Sequence, residues 1–165
     1  MALKEIKIYP DPVLRKVADR INRINDEIVQ LSHDMVETMR LANGIGLAAN
    51  QVGVCMRVIT VDQFENKKSN PIVLINPEIL IAEAEDTVEE GCLSLPKFYE
   101  FVKRAKRVRV RALDVEGEVF EMDCEDQLAR ALQHEIDHLN GVLFIDHLSP
   151  IKKEFFKKKY MRAKK

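Results

Sequence analysis

Between Asp126 and Asn140, Leu128, Leu132, Ile136 and Leu139 recur at steps of three and four residues, and the same stretch contains His134-Glu135-Ile136-Asp137-His138. This periodicity predicts an amphipathic helix that buries its apolar stripe, ended by Gly141. Helical residues four apart share a face, with Cβ atoms about 5–6 Å apart, so both imidazoles reach one metal ion. Glu135 lies about 100° further round, between the imidazoles and the stripe, placed to act as a base without being a ligand. Two incidental histidines on a solvent-facing helix are the simpler explanation. The chain has only four His, however, and two of them bracket a Glu at this spacing.

A catalytic site of this type has three protein ligands and an open fourth position. The 27 residues after His138 include His147 and Glu154, neither in a familiar third-ligand spacing. Upstream, Glu90-Gly91-Cys92-Leu93-Ser94-Leu95-Pro96 puts a thiol in a Gly- and Pro-punctuated segment, expected to be irregular backbone that presents a ligand and free N–H groups together. Cys92 is therefore the best third ligand, and a Cys with two His and water is an open arrangement. A second unusual stretch, Gly44 to Gln51, has two Gly and two Ala. It reads either as a helix C-cap followed by a small-residue packing contact or as room for another backbone to approach. Gln51 adds an amide donor suited to an oxyanion.

The 165 residues suffice for one domain spanning 1–165. A domain of this size buries roughly 68–70% of its unfolded surface, so any metal is expected to be functional rather than a staple. With 46% hydrophobic and 32% charged residues the composition is globular, and no apolar run approaches the roughly 20 residues of a membrane helix. The opening Met-Ala-Leu-Lys-Glu-Ile-Lys lacks an apolar targeting core, and three Cys do not make a disulfide framework, so a cytoplasmic protein is expected. Cys55 and Cys124 read as small buried or half-buried residues, and His33 and His147 as structural.

The rest of the chain reads as α+β: mostly antiparallel strands packed around the central metal-binding helix, with N-terminal helices and a C-terminal helix. Asp11-Pro12 opens a short helix through Val13, Leu14, Val17 and Ala18, and Ile28, Leu31, Met35 and Met39 mark a longer one over 26–42. Met56 to Val61 and Ile72 to Ile75 are short strands, and residues 107–113 and 118–122 form a hairpin across Glu116-Gly117. Residues 151–165 carry eight Lys/Arg against one Glu, whereas the other 150 carry 18 basic and 26 acidic residues. This basic helix either solvates a face whose Phe155, Phe156 and Tyr160 pack on the body, or attracts RNA.

Taken together, Gly44-Ile45-Gly46-Leu47-Ala48-Ala49-Asn50-Gln51, Glu90-Gly91-Cys92-Leu93-Ser94 and His134-Glu135-Ile136-Asp137-His138 resemble the three motifs of the peptide deformylases, in that family's order and spacing. The likeness extends from Tyr9-Pro10-Asp11-Pro12 to Gly141-Val142-Leu143-Phe144-Ile145-Asp146. It implies Fe2+ bound by Cys92, His134 and His138, with Zn2+, Ni2+ or Co2+ as substitutes, and an air-sensitive activity. The implied reaction removes the N-formyl group from the initiator N-formylmethionine of new polypeptides and releases formate. Glu135 would deprotonate the metal-bound water and later protonate the leaving amine, while Gln51 and the Leu93 N–H hold the oxyanion.

The same resemblance implies that Gly46 and Gly91 keep backbone accessible to an extended substrate, that Ile45, Leu128 and Ala131 form a methionine pocket with Arg130 near its mouth, and that the chain is a monomer. It also implies ribosome docking through the basic tail, predicting that deletion of 151–165 weakens ribosome binding in a salt-sensitive way. Glu90 and Asp137 are candidates to accept a ligand imidazole N–H, although Asp137 pairing with Arg104 is an equal alternative.

Two rivals remain at this point. A small zinc endopeptidase would cleave internal amides without needing Cys92. A nucleic-acid-binding module with a structural metal would keep its function when Glu135 becomes Gln.

Overall fold

The computed structural model describes residues 3–164; Met1, Ala2 and Lys165, which the reading of one domain over 1–165 also covers, lie outside the described residues. Asn25 starts helix α1 (Asp26–Leu41) by accepting the Ile28 N–H at 3.0 Å, and Asn43, in the left-handed region at φ 57°, helps the chain leave it. The Asp11-Pro12 signal gives only a four-residue 3-10 turn, Pro12–Arg15; Lys16 is already extended and Val17 is exposed, so the expected helix through Ala18 does not form.

Five strands make one antiparallel sheet in chain order: β1 (Gly46–Ala48), β2 (Val58–Asp62), β3 (Pro71–Cys92), β4 (Leu95–Leu113) and β5 (Val119–Glu125). Within the expected run over 56–61 the strand begins only at Val58, and Val58, Ile59 and Val61 show no alternation because β2 is buried on both faces, with Val58 in the cluster around α1 and Ile59 and Val61 in the cluster around α2. Strands β3 and β4 extend far beyond the expected segments. Much of β3 forms an exposed two-stranded ribbon with β4, broken by register shifts, so no clean alternation marks it in the sequence.

Cys92 pairs with Leu95 across a two-residue turn. The segment expected to be irregular is thus the tip of a tight hairpin.

Helix α2 (Asp126–Leu139) lies against this sheet with Leu132, Ile136 and Leu139 buried. A third cluster gathers Leu14, Leu95, Phe98, Phe144 and Phe156 beneath helix α3 (Pro150–Lys164). Phe156 meets Phe98 and Tyr9 edge to face, and Tyr160 packs on Tyr9, but Phe155 is 68% exposed and does not pack on the body as expected. Among the described residues, no helix is long and apolar enough to cross a membrane.

Candidate metal centre

Helix α2 presents His134 and His138 one turn apart, and the end of β3 brings Cys92 against them. Their ligand atoms lie within 4.8 Å of one another, and no other such His/Cys/Asp/Glu group occurs among the described residues. His134 Nε2 and His138 Nε2 are 3.2 Å apart, and Cys92 Sγ is 3.4 Å from His138 Nε2. Donors around a tetrahedral ion, with metal–nitrogen and metal–sulfur bonds of about 2.0–2.1 and 2.3 Å, stand about 3.3 Å apart for two nitrogens and about 3.6 Å for nitrogen and sulfur. The donor set therefore fits a first-row divalent ion.

The imidazole of His134 is oriented from behind. Its Nδ1–H donates to Glu90 Oε1 at 2.9 Å, so Nε2 keeps its lone pair for the centre. Glu90 is buried, which opposes its charge, yet His134 and the Arg104 guanidinium hold its pKa at about 2. Arg104 contributes Nε and Nη2 at 2.5 and 3.0 Å, and Arg130 adds Nη1 at 2.6 Å. Of the two carboxylates considered for this role, Glu90 takes the imidazole and Asp137 pairs with Arg104 at 2.9 Å. Burial, above all, pushes the His138 pKa down, which suits a neutral ligand.

Glu135 is 4% exposed and its Oε1 has no hydrogen-bond partner. Burial raises its pKa to about 7, with Glu90 and Asp137 adding to the effect and His134 and Arg104 opposing it. Gln51 sits in the 3-10 turn Ala49–Val52; its Oε1 accepts the Ala48 N–H at 2.9 Å, and its Nε2 donates to Ser94 Oγ at 3.1 Å and lies 3.6 Å from Cys92 Sγ.

These groups share a cleft of about 670 Å³. Its wall on α2 is Asp126, Gln127, Arg130, Ala131, His134 and Glu135, most of which recur at helical steps. Ile45, Gly46, Gly91 and Leu93 line it from the other elements. Leu128, expected in the methionine pocket, does not line it. It falls on the stripe of Leu132 and Leu139 and packs against the buried core.

The sequence reading did not single out Val88 or Tyr99, which also line the cleft; the two-residue step from Glu90 back to Val88 would have pointed to the first had the strand been recognised. A Cβ on Gly91 would lie 2.5 Å from the Tyr99 ring, so the room this glycine leaves is taken by an aromatic ring. Arg130, whose contribution was unassigned, is buried, and besides Glu90 it donates to the carbonyls of Val102 and Asp86, each at 2.9 Å.

The sequence matches the polypeptide deformylase family over residues 3–154. A peptide deformylase of Thermodesulfovibrio yellowstonii is 53% identical over 165 residues, 99% of this chain and all of the relative. The crystal structure of a peptide deformylase from Legionella pneumophila superposes with a TM-score of 0.92 at 45% identity, covering 99% of this chain and 96% of that one. That of an Ehrlichia chaffeensis peptide deformylase in complex with actinonin gives 0.91 at 34% identity, covering 99% and 98%.

Proposed function

Because the chain belongs to the polypeptide deformylase family, metal-dependent hydrolases that remove the N-formyl group from nascent polypeptides, we propose that Cys92, His134 and His138 hold its divalent ion, that Glu135 moves the proton, and that Gln51 and Leu93 stabilise the oxyanion. The observation that carries this reading is the convergence of one thiol and two imidazoles within 4.8 Å, with an unpartnered carboxylate oxygen on the residue next to His134. A bound divalent ion supplies Lewis acidity, which acidifies water and polarises the formyl oxygen. One thiolate with two imidazoles suits a late first-row ion, with Fe2+ the proposed occupant and Zn2+, Ni2+ or Co2+ as substitutes.

Glu135 takes the proton of the attacking water and returns it to the leaving amine, and a pKa near 7 balances the two duties. Gln51 is anchored through its Oε1 on the Ala48 N–H and donates one Nε2–H to Ser94 Oγ, leaving the other, beside Cys92 Sγ, for the oxyanion, while the Leu93 N–H, in the hairpin turn, is the second donor. The formylmethionyl chain lies extended past Gly46 and Gly91. Its methionine side chain enters between Ile45, Ala131, Val88 and the aliphatic stem of Arg130. The products are formate and a free amino terminus.

Formate release from formyl-Met-Ala-Ser by protein purified without oxygen, with metal content assayed on the same sample, tests this reading. Glu135→Gln should keep the metal and lose about 10²–10⁴-fold in kcat. Cys92→Ser should lose the metal, and full metal content in that variant would refute the ligand assignment.

The proposal extends to a monomeric, single-unit, cytoplasmic protein that meets its substrates at the ribosome through α3. Lys153, Lys157 and Lys158 are exposed there, beside the exposed Ile151 and Phe155. Deletion of 151–165 would also remove the buried Phe156, so the cleaner test converts those three lysines to Ala. Salt-sensitive ribosome binding should weaken while turnover of a short peptide is unchanged, and unaltered ribosome affinity would sink the idea.

A further inference from the structure

His147 ends the 3-10 turn Phe144–His147 and lies outside the donor set of the metal centre. Its Nε2 donates to Asp137 Oδ2 at 2.8 Å, and the same oxygen accepts Arg104 Nη1 at 2.9 Å. Arg104, its side chain 4% exposed, forks onto Glu90, and Glu90 takes the Nδ1–H of His134. Four polar links thus join a side chain that is 37% exposed to a ligand imidazole. We propose that His147 is a positioning residue for the metal centre, acting on His134 through Asp137, Arg104 and Glu90.

The physical reason lies in how each link is exposed. Asp137 borders a shallow depression of about 410 Å³ that also touches Glu85, Lys103 and Gln133, and its side chain is 25% exposed, so water competes for its carboxylate. His147 covers that carboxylate from the outer side and holds it on Arg104. Without His147 the carboxylate is free to turn outward, and the buried guanidinium, which cannot be left half satisfied, must move after it. Arg104 grips Glu90 through two nitrogens, so its movement shifts the acceptor that fixes the tautomer and ring plane of His134. Arg130 holds Glu90 independently through Nη1 and two strand carbonyls, so the effect of losing His147 is partial.

This inference rests on the assignment of Cys92, His134 and His138 as ligands. The experiment loads the full chain with Co2+ and follows the visible absorption of the ion during its release to excess chelator, for wild type, His147→Ala, Asp137→Ala and the double variant. Direct imidazole partners change metal affinity about 10–100-fold, so a residue acting through them should speed release about three- to tenfold. In the Asp137→Ala background the His147 substitution should add nothing, because the link it acts through is gone. A residue that only packs would shift the thermal midpoint and leave release unchanged. Wild-type release rates in His147→Ala, or an equal acceleration with and without Asp137, overturn the proposal, and the single variant decides it should the double fail to fold. A wild-type chain that takes up no Co2+ would instead overturn the ligand assignment itself.

Discussion

The Glu135 carboxylate fills the space that a side chain at Gly46 would need: a Cβ built on Gly46 lies 2.5 Å from Glu135 Oε2 and 2.9 Å from its Cγ. Strand β1 and helix α2 approach so closely here that the proposed general base is seated against bare backbone.

Gly46→Ala should therefore displace Glu135 and not the ligands. We expect formate release to fall about 10²–10⁴-fold, the range for losing a positioned acid–base group, while metal content stays stoichiometric. Parallel kinetics and metal analysis check this, and a variant that lost its metal together with its activity would contradict it.

Cysteine alkylation should separate Cys124 from Cys92. Burial, with a contribution from Asp123, pushes the Cys124 thiol up to about 11, so near pH 8 it is almost wholly protonated as well as covered. Mass spectrometry after brief iodoacetamide treatment should find Cys124 unmodified in the native protein. Cys92 should be protected while metal is bound and become labelled after chelation. Labelling of Cys92 at equal rates in both states would contradict its place as a ligand.

Arg130→Ala removes a cation from buried Glu90 and a donor from each of the carbonyls of Val102 and Asp86. Because Arg104 still neutralises Glu90, a loss of about 3 kcal/mol is expected, the low end for breaking a buried ion pair. Denaturant unfolding measures it, and a change below about 1 kcal/mol would show that the bonds of Arg130 are replaceable.

On α3 the two adjacent phenylalanines should behave oppositely. Phe156, 2% exposed against Tyr9, Phe98 and Tyr160, should cost about 3–5 kcal/mol when changed to Ala. Phe155→Ala should stay within about 0.5 kcal/mol, because its ring is already in water. Thermal unfolding of the two variants side by side tests the orientation of the helix.

Acid should loosen the turn after β2. Burial opposes a charge on Asp62, but its bonds from Ser69 Oγ, the Asn70 N–H and the Phe64 N–H outweigh this and lower its pKa below 3.8. A carboxyl with a depressed folded pKa stabilises the fold fully above its unfolded pKa, and that contribution is lost as pH falls through the folded value. Between pH 6 and pH 3 the thermal midpoint should drop less in Asp62→Asn than in wild type. Equal drops would show that the turn does not feel this charge.

Much of the metal centre is written locally. One helical turn sets the distance between His134 and His138, and places Glu135 beside them, wherever the helix sits. The helices over 26–41 and 126–139 were legible because a 3.6-residue apolar period survives without knowledge of neighbours. The length of the β3–β4 ribbon was not, because β3 is exposed on both faces over most of its run and its register shifts leave no alternation to read.

Cys92 can be nominated from sequence, but its Gly and Pro neighbours suggest irregular backbone where the fold has a tight hairpin. Its partnership with two imidazoles more than forty residues away is fixed by the register that ends β3 at Cys92 opposite Leu95. The exclusion of Leu128 from the cleft, the fork of Arg104 and Arg130 on Glu90, and the bond from His147 to Asp137 lie further still from sequence. Local spacing determined which side chains one element offers together. Only the packing of α2 onto the sheet decided which distant groups meet them, because those contacts depend on strand register and burial, and neither leaves a period in the chain.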